Sequence, residues 1–343
     1  EWRFPGCYGK RKSIHKPVFI MNINRVESYE CPLVSVIVVT RNRASSLQKT
    51  LQVLRGLAYP HFGIIVVDNG STDHTMQIVI NNEARYVYSP SNYGISYSRQ
   101  LGINAAQGEI VAFCDDDCLP ISDWLTYFVQ RLQRDPDIGL VGGQIINIGF
   151  SGNRRYKGRT KLGRNGLLSF VADPKEADFF GNANLAFRRS AVEAIGGYDP
   201  FFNVMAEIDL AMSLKRHGFR VAYEPNAVVE HHHVGSSQKK RHLFRGPQLI
   251  RLYFFFKHCR PTNLGEWLSF LGCELQLLWQ DLRRASRALA ATLVKRQFNR
   301  LSTVGTEFFN LLSARMAIPW LLWQTKKQMQ ATVRSAAYRA TRA

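Results

Sequence analysis

Three adjacent aspartates, Asp115–Asp116–Asp117, stand directly after the apolar run EIVAFC (Glu109–Cys114). Adjacent carboxylates repel one another unless a cation lies among them. Alternate side chains of an extended chain share a face, so Asp115 and Asp117 are expected to point one way and Asp116 another. A hard divalent cation with oxygen ligands, keeping its other positions for phosphate, suits such a set. The local alternative is a solvated acidic turn before a helix near Asp123. Three carboxylates at the C-terminal end of a buried strand favour the ligand, because open α/β sheets bind ligands along that edge. Asp68 closes a second apolar run, GIIVVD (Gly63–Asp68). Asp–Asn–Gly is ordinary turn chemistry, and Thr72 or Asp73 could cap the next helix. Two strand ends presenting carboxylates at one edge nevertheless point to a shared cleft. His231–His232–His233 is a further candidate metal binder, or simply a polar loop.

These residues need a frame. VSVIVV (Val34–Val39) and GIIVVD are β-branched runs of the kind that are buried on both faces. Helical stretches are expected at Ala44–Leu57, capped by Ser45 or Ser46, at Asp73–Asn82, and, after the loop Ser89–Gly94, to about Ala106. Tyr86–Tyr88, Glu109–Cys114 and Gly139–Ile148 read as further strands, and Asp123–Arg134 as a helix. Short links between alternating strands and helices predict a parallel α/β sheet. Ser151–Asn165, rich in Gly, Arg and Lys, is expected to be a mobile loop. Asp178–Phe187, Ala206–His217 and Arg220–Glu224 read as strand, helix and strand. Residues 1–30 look like an irregular extension, with a short strand at Lys16–Ile23. Three regions result: an N-terminal extension (1–31), an α/β domain (32–235) and a basic, aromatic-rich helical region (236–343).

The order VSVIVVTRNR, VVDNGSTD, NYGISYSRQLGINAAQGEIVAFCDDD, GNANLAFRRSAVEAIGGYD, AEIDLAMSLKRHG resembles the family-2 glycosyltransferases of the GT-A fold. The likeness runs from about Pro32 to Val234. It implies an inverting, DxD-containing enzyme that uses a nucleotide-diphosphate sugar and Mn²⁺ or Mg²⁺. By this resemblance Thr40, Asp68 and Arg99 contact the nucleotide, as do Asp115 and Asp116, with Asp116 near the ribose. Asp117 holds the metal, and His231 completes the metal site, with His233 second. Glu207 falls where the family places its catalytic base. That position is often the Asp of Glu–Asp, whereas this chain reads Ala206–Glu207–Ile208–Asp209. On a helix Glu207 and Asp209 do not face each other, so Asp209 is expected to favour the helix dipole instead. Ser236 and Ser237 are candidate phosphate contacts. The implied acceptor is a glycan or a lipid-linked glycan, and the implied role is assembly of cell-surface polysaccharide or glycolipid.

Composition limits the alternatives. The 343 residues carry a formal charge of +19 and are 45% hydrophobic, which excludes disordered and low-complexity classes. Residues 1–235 hold 26 basic and 22 acidic side chains, whereas 236–343 hold 19 and 4, a surplus of +15. Basic residues interleaved with aromatic ones, as in LIRLYFFFKH, suit an anionic membrane surface, or a helical subdomain packed on the α/β domain. No run of eighteen apolar residues predicts a membrane span, and Glu1–Lys16 lacks the apolar stretch of a secretory signal. Six cysteines are too sparse for a disulfide scaffold. Cys114 and Cys118 are expected to be packing residues, and the thiols reduced in a cytoplasmic protein on the inner membrane face. A metal-dependent phosphohydrolase would leave the Glu207 helix idle. A nucleic-acid binder would leave the aspartate run unexplained.

Overall fold

The computed structural model describes residues 31–202, 205–234, 246–294, 313 and 315–325. The chain divides after Glu30. The expected strand at Lys16–Ile23 and the candidates Ser236 and Ser237 lie outside the described residues. From Val34 onward, β1 (Val34–Thr40), α1 (Ala44–Arg55), β2 (Phe62–Asp68), α2 (Thr75–Asn81), β3 (Arg85–Tyr88), α3 (Ile95–Ala105) and β4 (Ile110–Cys114) alternate as the apolar runs require. The chain continues through β5 (Cys118–Pro120), α4 (Trp124–Arg134), β6 (Ile138–Asn147), β7 (Arg159–Leu162), β8 (Leu168–Phe170), β9 (Phe179–Phe180) and β10 (Asn184–Arg188). It closes with α5 (Arg189–Ala194), α6 (Ala206–Arg216), β11 (Arg220–His231), α7 (Gly246–His258) and α8 (Leu264–Val294).

One sheet has the order β3-β2-β1-β4-β10-β6-β11-β5. It is mostly parallel, with β10 antiparallel to β4 and β6, and β5 antiparallel to β11. Successive residues of a strand enter different cores, as a period of two demands. Val36, Val38 and Ala112 pack with Leu47 and Leu51 of α1 and with Trp124 and Phe128 of α4. Ile37, Val111 and Phe113 pack on the other face with Ile103 of α3 and Leu210 of α6. The second core also contains Leu252 and Tyr253–Phe256 of α7 and Phe270 of α8, whose ring stacks on Phe255 at 4.7 Å. The C-terminal helices therefore share a core with the helix that carries Glu207. No described helix is long and apolar enough to cross a membrane.

Four local expectations are corrected. Ser151–Asn165 is not one loop, because β7 pairs with β8 and β9 in a three-stranded antiparallel sheet. Asp178–Phe187 is two strands, β9 and β10, joined by a turn in which Asn184 N donates to Gly181 O. The last strand runs past Glu224 to His231, with a register shift between Glu224 and Val228. The α1 N-terminus is capped from outside: Asp73 accepts from Ala44 N at 3.0 Å, while Ser46 donates to Asp116 O.

Candidate active site

The sheet edge collects the residues singled out by their chemistry. Thr40 and Asp68, the last residues of β1 and β2, are register partners. Buried Asp68 accepts from Ser71 N at 2.9 Å and from the Tyr86 hydroxyl at 2.7 Å. Burial and that carboxylate push the Tyr86 phenol well above its usual range, so Tyr86 remains a donor.

The three aspartates do not alternate as extended chain would. Cys118 N donates to Asp115 O, closing a turn, and this brings Asp116 and Asp117 to the same cation. Arg43 Nη1 lies 2.7 Å from Asp116 and 3.3 Å from Asp117, and its Nη2 donates to Val234 O at 2.6 Å. Asp116 also accepts from Thr40 Oγ1 at 2.7 Å. Its main-chain oxygen accepts from Ser46 and Thr50. Burial pushes the Asp116 carboxyl up to about 6, against the opposing pull of Arg43 and Thr40. Burial acts the same way on Asp117, but contact with His231 and Arg43 outweighs it and holds that carboxyl below its usual value. Half-buried Asp115 lies apart, 4.0 Å from Arg99.

The three histidines separate by role. His231 Nε2 is 3.0 Å from Asp117 Oδ1. His233 stacks on His231 at 3.7 Å and on Phe150 at 4.3 Å, with its Nε2 2.7 Å from Asn147 Oδ1. Burial, with the nearby His231 and Lys157, pushes His233 down to about 4, so it packs as a neutral ring. His232 is exposed beside Glu230. Ligand atoms of Asp117, Cys118 and His231 lie within 4.8 Å of one another. Burial and a hydrogen bond with Cys114 push the Cys118 thiol well above its usual range. A thiolate is a soft donor, whereas Mn²⁺ and Mg²⁺ take harder oxygen and imidazole ligands, which leaves a carboxylate oxygen and an imidazole nitrogen. That pair suits Mn²⁺ or Mg²⁺.

Beside this network lies a cavity of about 410 Å³, lined by Arg99, Asp115, Asn182, Glu207 and His231, with Leu168, Phe170, Phe179 and Met205 among its apolar walls. Glu207, in the first turn of α6, accepts from Asn182 Nδ2 at 3.1 Å, and Asn182 accepts from the Tyr198 hydroxyl at 2.7 Å. Asp209 turns away from the cavity. It is buried 2.7 Å from both Lys257 Nζ and His258 Nε2 of α7. Lys257 also reaches Asp199 at 2.8 Å. Asp209 thus fastens α6 to α7, a role beyond the expected helix-dipole effect. Thr40, Asp116 and Asp117 form the network behind the cavity, while Arg99, Asp115, Glu207 and His231 line it. Arg43 and Lys257 were not legible from sequence, since their partners are distant along the chain.

Residues 35–196 match the family described as Glycosyl transferase family 2. That stretch of the chain is similar to family 2 glycosyltransferases. Over 206 residues it is 29% identical to the pre-mycofactocin glycosyltransferase of Mycobacterium tuberculosis, covering 58% of this chain and 43% of that protein. The chain thus spans less than half the length of that relative. Over 288 residues it is 26% identical to glycosyltransferase AglE of Haloferax volcanii, covering 80% of this chain and 91% of that protein. Among solved structures, S. aureus TarS superposes with a TM-score of 0.50 at 16% identity, covering 69% of this chain and 42% of that one. The fold, an α/β architecture with a mostly parallel sheet, is of the GT-A type.

Proposed function

We propose that the protein is an inverting, metal-dependent glycosyltransferase. It moves a hexosyl group from a nucleotide-diphosphate sugar to a hydroxyl of a glycan or lipid-linked acceptor, in assembly of cell-surface polysaccharide or glycolipid. The observation that carries this reading is the meeting of Glu207, Arg99, Asp115 and His231 in one cavity, with the Asp117–His231 pair at its back. Thr40 and Asp68 hold the nucleotide base, Asp115 and Asp116 the ribose side, and Arg99 the donor. Asp117 and His231 would hold Mn²⁺ or Mg²⁺, which when bound supplies Lewis acidity to the diphosphate leaving group. Glu207, oriented by Asn182, takes the proton from the acceptor hydroxyl as that oxygen bonds to the anomeric carbon. The bond to the diphosphate breaks on the opposite face. One displacement inverts the centre without a covalent glycosyl-enzyme. The reading places the protein peripherally on the cytoplasmic face of a membrane.

A thermal-shift screen of nucleoside diphosphates and sugar nucleotides tests it, because a ligand of the folded state raises its stability. Nucleotides of one base are expected to stabilise the wild type only with Mn²⁺ present, and Asp117→Asn is expected to lose that response. Equal shifts without metal, or donor hydrolysis with no transfer product, would contradict the reading.

A further inference from the structure

Helix α8 presents an apolar stripe to solvent. Leu264 is 74% exposed, Leu268 60%, Leu271 49%, Leu275 67% and Trp279 57%, and Leu289 is exposed on the same line. At 3.6 residues per turn these six fall within one arc of about 80°. A separate arc of the helix, through Phe270 and Glu274, is buried against the rest of the protein. Internal packing therefore accounts for only part of this helix's apolar surface.

The charges beside the stripe select its partner. Glu274 is ion-paired inside the fold with Arg251 and Arg315, and Asp281 is paired with Arg315. Arg283, Arg284 and Arg287 follow Trp279, and the Arg283 guanidinium stands 4.9 Å over the indole ring. A Trp–Arg pair at the edge of an apolar stripe suits the headgroup layer, where a ring and a cation are both accommodated. The surplus of +15 over residues 236–343 repels a second copy of this region and attracts anionic lipid. Helix α8 is also tied, through its buried arc, to an element that lines the cavity. Asn165 donates to Phe270 O at 3.1 Å and to Glu274 at 3.3 Å, tying the β7–β8 turn to α8. Strand β8 then supplies exposed Leu168 and Phe170 to the cavity wall.

We propose that the outward stripe of α8 is a docking face for an anionic bilayer, holding the apolar side of the cavity toward a membrane-borne acceptor. The inference rests on the membrane placement proposed above and names the surface that achieves it. The test is flotation of the full chain with phosphatidylcholine vesicles, with and without phosphatidylglycerol. Binding is expected to be on the order of 30-fold stronger with the anionic lipid, from Arg283 and Arg287, the arginines that flank the stripe on the helix surface. The variant Leu268→Gln/Leu271→Gln/Leu275→Gln keeps good helix formers and is expected to lose at least about tenfold in vesicle binding. Met76→Gln, at an exposed apolar position on α2, is expected to float like the wild type. The Mn²⁺-dependent nucleotide shift, measured on the same stripe variant, reports the donor site separately, so loss of docking and loss of the transferase reading are distinguishable. A stripe variant that floats like the wild type would overturn the proposal. So would a wild-type chain that does not float, and sedimentation velocity would then show whether a second copy covers the stripe.

Discussion

Lys257→Met probes the junction between α6 and the C-terminal region. The Lys257 ammonium sits between two buried carboxylates, 2.7 Å from Asp209 and 2.8 Å from Asp199. Removing one member of a buried ion pair costs about 3–5 kcal/mol, because the partner charge is left uncompensated. His258 remains 2.7 Å from Asp209 and the Tyr253 hydroxyl 3.1 Å from Asp199, so the lower part of that range, about 3–4 kcal/mol, is expected. The cost has a sign in pH. In the wild type, burial pushes the Asp209 carboxyl up, but Lys257 and His258 outweigh it and hold the group below its usual value. Such a carboxylate contributes stability above its unfolded pKa, and that contribution is lost as pH falls through the folded pKa. Without Lys257, burial dominates and the carboxyl takes up a proton more readily. The deficit of the variant is therefore largest near neutral pH and narrows on acidification. Urea unfolding followed by tryptophan fluorescence, at about pH 7.5 and about pH 5.5, measures both quantities. A deficit below about 1 kcal/mol, the scale of an exposed pair, would refute the reasoning. So would a deficit that does not change with pH.

Three other substitutions test the frame and the network behind the cavity. Asn184 donates to Gln144 O and Ala227 O at 2.8 Å each and accepts from Trp124 Nε1 at 2.7 Å. Asn184→Ala strands these buried groups and is expected to cost about 3 kcal/mol in urea unfolding. A Cβ on Gly142 would lie 2.1 Å from the Phe180 ring, so Gly142→Ala is expected to cost about 1–3 kcal/mol by forcing β9 away from β6. Arg43→Met leaves Asp116 and Asp117 without their shared cation. Mn²⁺ alone is therefore expected to raise the melting temperature of this variant more than that of the wild type; an equal shift would show that Arg43 and the metal do not share the site.

The parallel core was legible because Val34–Val39 and Gly63–Asp68 are apolar on both faces, which few other settings accommodate. The carboxylates at the strand ends were legible for the same reason, since the strands fix where the edge must be. The arrangement within the aspartate run was not, because composition does not separate extended chain from the turn that Cys118 N closes on Asp115 O. β7 is not legible in its own four residues, because its stability comes from pairing on both sides: Thr160 pairs with Phe170 and with Phe179. Distance also hid Arg43, whose carboxylate partners lie more than seventy residues further on. The preference for Glu207 over Asp209 came from a family resemblance and the facing rule of a helix. The structure supplies a separate observation: α7 brings Lys257 and His258 to Asp209, leaving Glu207 at the cavity.

The central claim is that Glu207 takes the acceptor proton. The direct measurement is the transfer rate of Glu207→Gln at saturating donor and Mn²⁺, with donor affinity determined on the same preparation. The amide keeps the size of the side chain and removes its basicity, so the rate is expected to fall about 10²–10⁴-fold while donor affinity stays within about twofold. A folded, donor-binding Glu207→Gln protein that transfers sugar at the wild-type rate would contradict the account.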